Sequence, residues 1–266
     1  MRTRILTALV LAAVLIGVLL YGPAWSARAL FGLFIAAGAW EWAAFLGATS
    51  RAARLSFVLL VAVLATAARV WLADAGRFTL LMQFSAMWWM VALLWLTFLP
   101  HRMSAASAAA AGLLALVPAW VALTRLVELW PMGPYWALFI MALAFAADTG
   151  AYFAGRSFGR VKLAPRVSPG KTWEGVVGGM TFAALLGLVG SRWFGVSAAA
   201  FVPLCLLAAA FSVVGDLTES MFKRASGLKD SGRLFPGHGG VLDRIDSILA
   251  ATPIMCVGLL WLGVGA

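Results

Sequence analysis

A chain of 266 residues with 64% apolar and only 11% charged side chains, including 13 Trp and 17 Phe, has too few polar groups to cover a water-facing surface, which excludes a soluble globular domain. Its mean hydropathy of +0.98 reflects repeated apolar runs of about 20 residues, the length that crosses a bilayer's hydrocarbon core. The expected class is therefore an all-α polytopic integral membrane protein, with a net charge of +10 directed at anionic headgroups or phosphates and no role for nucleic acid.

Taken in chain order, the apolar runs give nine candidate spans, at about 5–22, 29–48, 55–73, 79–99, 105–124, 135–155, 172–190, 198–218 and 248–265. The first, behind Arg2 and Arg4, has the form of a secretory signal with "WSA" as its cleavage site. Eight spans follow it, and it is read as a helix that stays. Cys205 and Cys256 each lie within an apolar span and are read as buried thiols. Trp88, Trp89 and Trp95 are read as bilayer-interface or packing residues.

Orientation follows from the cations. With the N-terminus in the cytoplasm, only Arg28, Arg69, Arg77, Arg125 and Arg192 of the 20 Lys and Arg fall on the far side. The positive-inside rule then puts the N-terminus in the cytoplasm and the C-terminus outside, with nine crossings. For a bacterial-type cell this is the inner membrane.

Acidic residues divide the chain. Residues 1–134 hold only Glu41, Asp74 and Glu128 and are expected to be scaffold and lipid access. Residues 135–266 hold Asp148, Glu174, Asp216, Glu219, Asp230, Asp243 and Asp246, so the chemistry is expected there, on cytoplasmic loops 155–172 and 219–247.

Between the sixth and seventh spans, "SPGKT" (Ser168–Thr172) leads into a helix whose first backbone N–H groups are free to hold an anion, beside Lys171. A nucleotide-binding P-loop is rejected, because the G-x-x-x-x-G-K-[ST] spacing and a preceding strand are both missing. The eighth span ends in Asp216-Leu-Thr-Glu219-Ser220, and the ninth begins with Asp243-Arg-Ile-Asp246-Ser247. Each carries an acid at i, an acid at i+3 and a Ser at i+4, on one helix face. Four carboxylates from two helix ends would converge near the membrane surface, with Asp148 as a fifth.

Such a cluster repels itself unless compensated. All-oxygen donors point to Mg²⁺ or a similar hard cation, with room for a second ion. The plainer reading is that these acids pair with Lys223, Arg224 and Arg244. Lys223, Arg224, Lys229 and Arg233 supply charge for phosphate oxygens. His238 is a candidate donor to a phosphate or leaving group.

Residues 220–247, "SMFKRASGLKDSGRLFPGHGGVLDRIDS", resemble the signature of phosphatidate cytidylyltransferases, or CDP-diacylglycerol synthases. Ser220, Lys223, Arg224, Lys229, Asp230, Pro236, His238, Gly239, Gly240, Asp243, Arg244 and Asp246 occupy its places without a gap. "DTGAYFAGRSFGR" and "SPGKTWEG" resemble the same family, so the likeness covers most of residues 140–250, while the N-terminal half resembles it only in hydropathy. The resemblance implies transfer of CMP from CTP to phosphatidic acid, with Mg²⁺ as cofactor and pyrophosphate released. On that reading Asp216, Asp243 and Asp246, with Asp148 or Glu219, hold the cation. Lys223, Arg224, Lys229, Ser220 and Arg244 face phosphates, Ser168 and Lys171 hold the second anion, and His238 assists.

A looser likeness to CTP-dependent polyprenol kinases leaves a lipid kinase as the nearer alternative. A transporter is the alternative from another class, and it would call for an inverted repeat that the first half does not contain. Gly-rich spans suit close helix contacts within one chain or across a homodimer.

Overall fold

The computed structural model describes residues 2–71, 74–100, 103–232 and 239–264, with the backbone alone at 2–8 and 129. Among these residues the chain forms nine α-helices: α1 (Arg2–Tyr21), α2 (Ala24–Trp42), α3 (Arg51–Trp71), α4 (Ala75–Phe98), α5 (Ala105–Leu129), α6 (Gly133–Phe158), α7 (Trp173–Phe194), α8 (Ala198–Ala225) and α9 (Leu242–Trp261). Eight of them, α2 to α9, are long and apolar enough to cross a membrane. The expected all-α polytopic membrane class holds. Between α6 and α7 lies a two-stranded antiparallel hairpin, β1 (Lys162–Ala164) and β2 (Ser168–Thr172).

Helix ends are set by local chemistry rather than by hydropathy. Asp74 caps α4 by accepting from the N–H groups of Gly76 and Arg77, and Ser104 and Ser107 form a reciprocal capping box on α5. Thr172 caps α7 through Gly175 N–H, and Gly195 closes it at a φ of 67°. The apolar runs therefore misplace two boundaries that matter. α8 continues to Ala225 rather than stopping at 218, and α9 starts at Leu242 rather than 248. A helix is propagated by its i→i−4 hydrogen bonds, which charged side chains do not interrupt.

Of the eight helices α2 to α9, α5 and α9 are the most buried and α3 the least. Leu59, Val63, Leu80, Phe84, Met87 and Leu94 lie exposed on the outer faces of α3 and α4, as suits a lipid-facing wall. Trp89 is buried, and Trp95 packs edge-on against Phe222 at 5.6 Å, so both are packing residues.

Two close helix approaches position the site. A Cβ on Gly150 of α6 would stand 2.6 Å from the carbonyl oxygen of Gly178 on α7, so these helices meet backbone to backbone. Likewise a Cβ on Gly215 of α8 would stand 2.4 Å from the carbonyl oxygen of Asp246 on α9. Absence of a side chain at 215 thus brings Asp216 and Asp246 to the same level.

Candidate active site

The C-terminal end of α6, the N-terminal end of α7, the C-terminal end of α8 and the N-terminal end of α9 meet at one end of the bundle. The twin acid–acid–serine patterns are both helical and interleave there, each position with its own role.

The leading acids each take a lysine. Asp216 Oδ2 lies 2.7 Å from Lys171 Nζ, which reaches across from β2. Asp243 Oδ1 lies 2.6 Å from Lys223 Nζ, and the same ammonium donates to Glu219 Oε2 at 2.9 Å. The second acids, Glu219 and Asp246, interact directly across the α8–α9 contact. They are only 1% and 8% exposed, and Glu219 Oε1 has no geometrically satisfactory hydrogen-bond partner among the described residues. The serines donate to carboxylates: Ser220 Oγ to Asp216 Oδ1 at 3.3 Å, and Ser247 Oγ to Asp148 Oδ2 at 3.4 Å. Asp148 is also within electrostatic reach of Asp216, Lys171 and Arg244. The five acids expected to converge do so.

They do not all stand free for a ligand. Both oxygens of Asp243 are occupied, Oδ1 by Lys223 and Oδ2 by the N–H groups of Gly240 at 2.8 Å and Ser231 at 3.3 Å. Asp243 therefore shapes the approach to α9; Asp216 is likewise engaged through both oxygens, by Lys171 and Ser220, and Asp246 is the acid within reach of Asp216, Asp148 and Glu219 together. Among the described residues no three Asp, Glu, His or Cys side chains stand close enough together to hold one metal ion. The donor set nevertheless suits a hard cation. All its atoms are oxygens, one of them is a buried carboxylate oxygen without a partner, and Mg²⁺ commonly takes one or two carboxylates and completes its shell with water and substrate phosphates.

The plainer reading, that these acids pair with cations, is met at Lys223 for Glu219 and Asp243, and Lys171 adds a pairing with Asp216 that the sequence did not suggest. Arg224 lies elsewhere. It lines a cleft of about 620 Å³ with Arg166, Phe45, Met103, Ser104 and Ser226. Neighbouring residues on a helix point about 100° apart, and here Lys223 and Arg224 face different places. Arg244 lines a second, apolar cavity of about 430 Å³ with Leu15, Phe31, Ile35, Met141 and Ile248. Lys229 is exposed. His238, Arg233 and Pro236 lie outside the described residues.

Ser168 and Lys171 belong to a strand, so the sequence reading that no strand precedes α7 is corrected; the P-loop spacing is still missing. The hairpin is held to α7 by Glu174, whose two oxygens accept from Val161 N–H at 3.1 and 3.2 Å, and by Trp173 N–H on the Val161 carbonyl. At the start of α7, Gly175 N–H is taken by Thr172 Oγ1 at 3.1 Å. That cap aims the preceding residue, Lys171, at Asp216.

One acid at this end was not expected. Glu41, at the end of α2, is buried against the start of α9 and accepts from Leu242 N–H and Ser231 Oγ. A carboxylate inside an apolar span is itself the signal, since it is costly without partners.

The chain's likeness to known proteins extends over nearly its whole length. The cytidylyltransferase family profile matches residues 2–261. The phosphatidate cytidylyltransferase of Pseudomonas aeruginosa is 44% identical over 98% of this chain and 97% of its own length. That of Haemophilus influenzae is 42% identical over 95% of this chain and 96% of its own. The Brucella suis protein of the same name is 47% identical over 47% of each chain. Helices, carboxylate–lysine cluster and similarity over nearly the whole chain agree: the chain is a nucleotidyltransferase and belongs to the cytidylyltransferase family.

Proposed function

We propose that the chain transfers the CMP moiety of CTP to phosphatidic acid, giving CDP-diacylglycerol and pyrophosphate, with Mg²⁺ required. The observation that carries this reading is the mixture of Lys171 and Lys223 with Asp216, Glu219, Asp246 and Asp148 in one cluster at the end of the bundle. A triphosphate carrying a divalent cation needs both kinds of partner, cationic groups for its phosphate oxygens and carboxylates for its metal.

A phosphate monoester has its second pKa near ~6 and is mostly dianionic at neutral pH. The acceptor lipid is thus already a nucleophile, and no side chain has to remove a proton. Its phosphate oxygen attacks the α-phosphorus of CTP, forming the new P–O bond. The bond from that phosphorus to the bridging oxygen of the β-phosphate breaks, and its electron pair leaves with pyrophosphate. What the protein supplies is position and charge compensation.

Asp216 and Asp246 would hold Mg²⁺, two carboxylates being enough where water and substrate phosphates complete the shell, with Asp148 and Glu219 adding negative charge around it. When bound, the cation neutralises phosphate charge and stabilises the leaving pyrophosphate. Lys171, held by the Thr172 cap, and Lys223, held between Glu219 and Asp243, would meet phosphate oxygens. Asp243 acts through Lys223 and the turn before α9. The apolar cavity beside Arg244 suits an acyl chain, with the guanidinium near the headgroup. The site faces the cytoplasm, where CTP is made, in a bacterial inner membrane.

The test is pyrophosphate release from CTP by the purified protein in detergent, with phosphatidic acid and Mg²⁺, beside Asp246→Asn. Release that needs the lipid and is lost on chelation and in the variant is the expected result. Formation of CDP with a phosphorylated lipid would instead identify a kinase.

A further inference from the structure

α2 ends in "GAWEW", which places an acid inside an apolar helix. Glu41 is 5% exposed, and burial of a charge there is tolerable only if its oxygens are satisfied. Both partners come from the far end of the chain. Glu41 Oε2 accepts from Ser231 Oγ at 3.1 Å and from the backbone N–H of Leu242 at 2.8 Å. Leu242 is the first residue of α9, whose free N–H groups favour a carboxylate.

Two glycines admit that carboxylate. A Cβ on Gly232 would stand 2.0 Å from Glu41 Oε1, and one on Gly240 2.4 Å from Oε2. The chain entering the 233–238 stretch and the chain leaving it therefore both close on one side chain. The next residue, Trp42, anchors this end of α2, donating from Nε1 to the Ala108 carbonyl at 2.8 Å and packing on Phe222 at 5.2 Å.

The same residues hold the site. Ser231 gives its hydroxyl to Glu41 and its N–H to Asp243. Asp243 also accepts from Gly240 N–H and holds Lys223. A continuous set of hydrogen bonds runs from Glu41 through Ser231 to Asp243 and Lys223.

We propose that Glu41 is a positioning residue for nucleotidyl transfer, clamping both ends of the 231–242 segment from the N-terminal half and so fixing Asp243 and Lys223. It rests on the cytidylyltransferase reading above for its effect on rate, though not for the clamp itself. What the site needs from Glu41 is the hydrogen-bond acceptor at Oε2, not the charge.

The experiment compares wild type, Glu41→Ala, Glu41→Gln and Gly232→Ala, each full length in detergent. It reads kcat and KM for CTP and phosphatidic acid per folded enzyme, and the rate of tryptic cleavage after the exposed Lys229. Glu41→Ala is expected to lower kcat about tenfold or more, with a smaller change in KM, and to speed cleavage by a similar factor. Glu41→Gln, which can set its carbonyl oxygen where Oε2 stands, is expected to keep kcat within about threefold of wild type. Gly232→Ala, which pushes the carboxylate aside, is expected to follow Glu41→Ala, and it decides the matter if that variant does not fold.

An alanine variant with wild-type kcat, or a glutamine variant as impaired as alanine, overturns the positioning role. Equal cleavage rates in all four proteins overturn the clamp. Wild-type protein that releases no pyrophosphate overturns the cytidylyl-transfer reading instead, and the cleavage rates then still decide whether Glu41 holds the segment.

Discussion

The two ends of the bundle each carry an ionic cluster, and they are built on opposite principles. At the end expected to face away from the cytoplasm, Glu128 is paired with two guanidinium groups, Arg28 at 2.9 Å and Arg69. Arg125 lies over the Phe78 ring at 4.7 Å nearby. Asp74 lies at the same end as the cap of α4, within electrostatic reach of Arg125, so the cations there outnumber the acids, and both oxygens of Glu128 are paired. At the other end Asp148, Asp216, Glu219, Asp243 and Asp246 share two lysines, and one buried carboxylate oxygen lacks a partner. Ion pairs that only stabilise a fold close on themselves, whereas a site keeps unspent capacity for what it binds.

That contrast can be broken at either end. Asp246→Asn removes charge from the acid-rich end and should cost activity most, about 10²–10³-fold in pyrophosphate release, with no loss of folded protein. Lys223→Met should do double damage, leaving Glu219 and Asp243 without their cation. Activity should fall about 10²-fold, and thermal unfolding in detergent should show a loss on the order of 3 kcal/mol. Glu128→Gln tests the saturated end. There the expected loss is about 1–2 kcal/mol of stability, with kcat unchanged. Smallest is Thr172→Ala, which removes the α7 cap at about 1 kcal/mol, read as a shift of about 2 °C in melting temperature.

The architecture was legible because length and apolarity of a span are local properties, and because i, i+3 and i+4 fix a helical face without knowledge of the partner. The twin patterns at 216–220 and 243–247 show this: both are helical, and both bring their acids to one place. What those acids touch was less legible. Lys171 reaching Asp216 depends on a hairpin whose strands are three and five residues long, too short to leave a periodic signal. Arg224 should have been separated from Lys223, since adjacent helical positions diverge, and it indeed lines a different cleft. Glu41 was assigned to scaffold because its half of the chain shows no other site chemistry. Its partners lie 190 and 201 residues away, and no pattern in a single sequence couples positions so distant.

The span between Glu41 and Leu242 also sets an order of events. A ribosome delivers α2 to the membrane long before α9 exists, so the acid waits through the insertion of most of the molecule without its final partners. Ser231 and the start of α9 supply them, and contacts of such long range form late. Closure of this bond therefore waits on α9: until that helix is in place, α2 carries an acid without its backbone donor in an apolar setting.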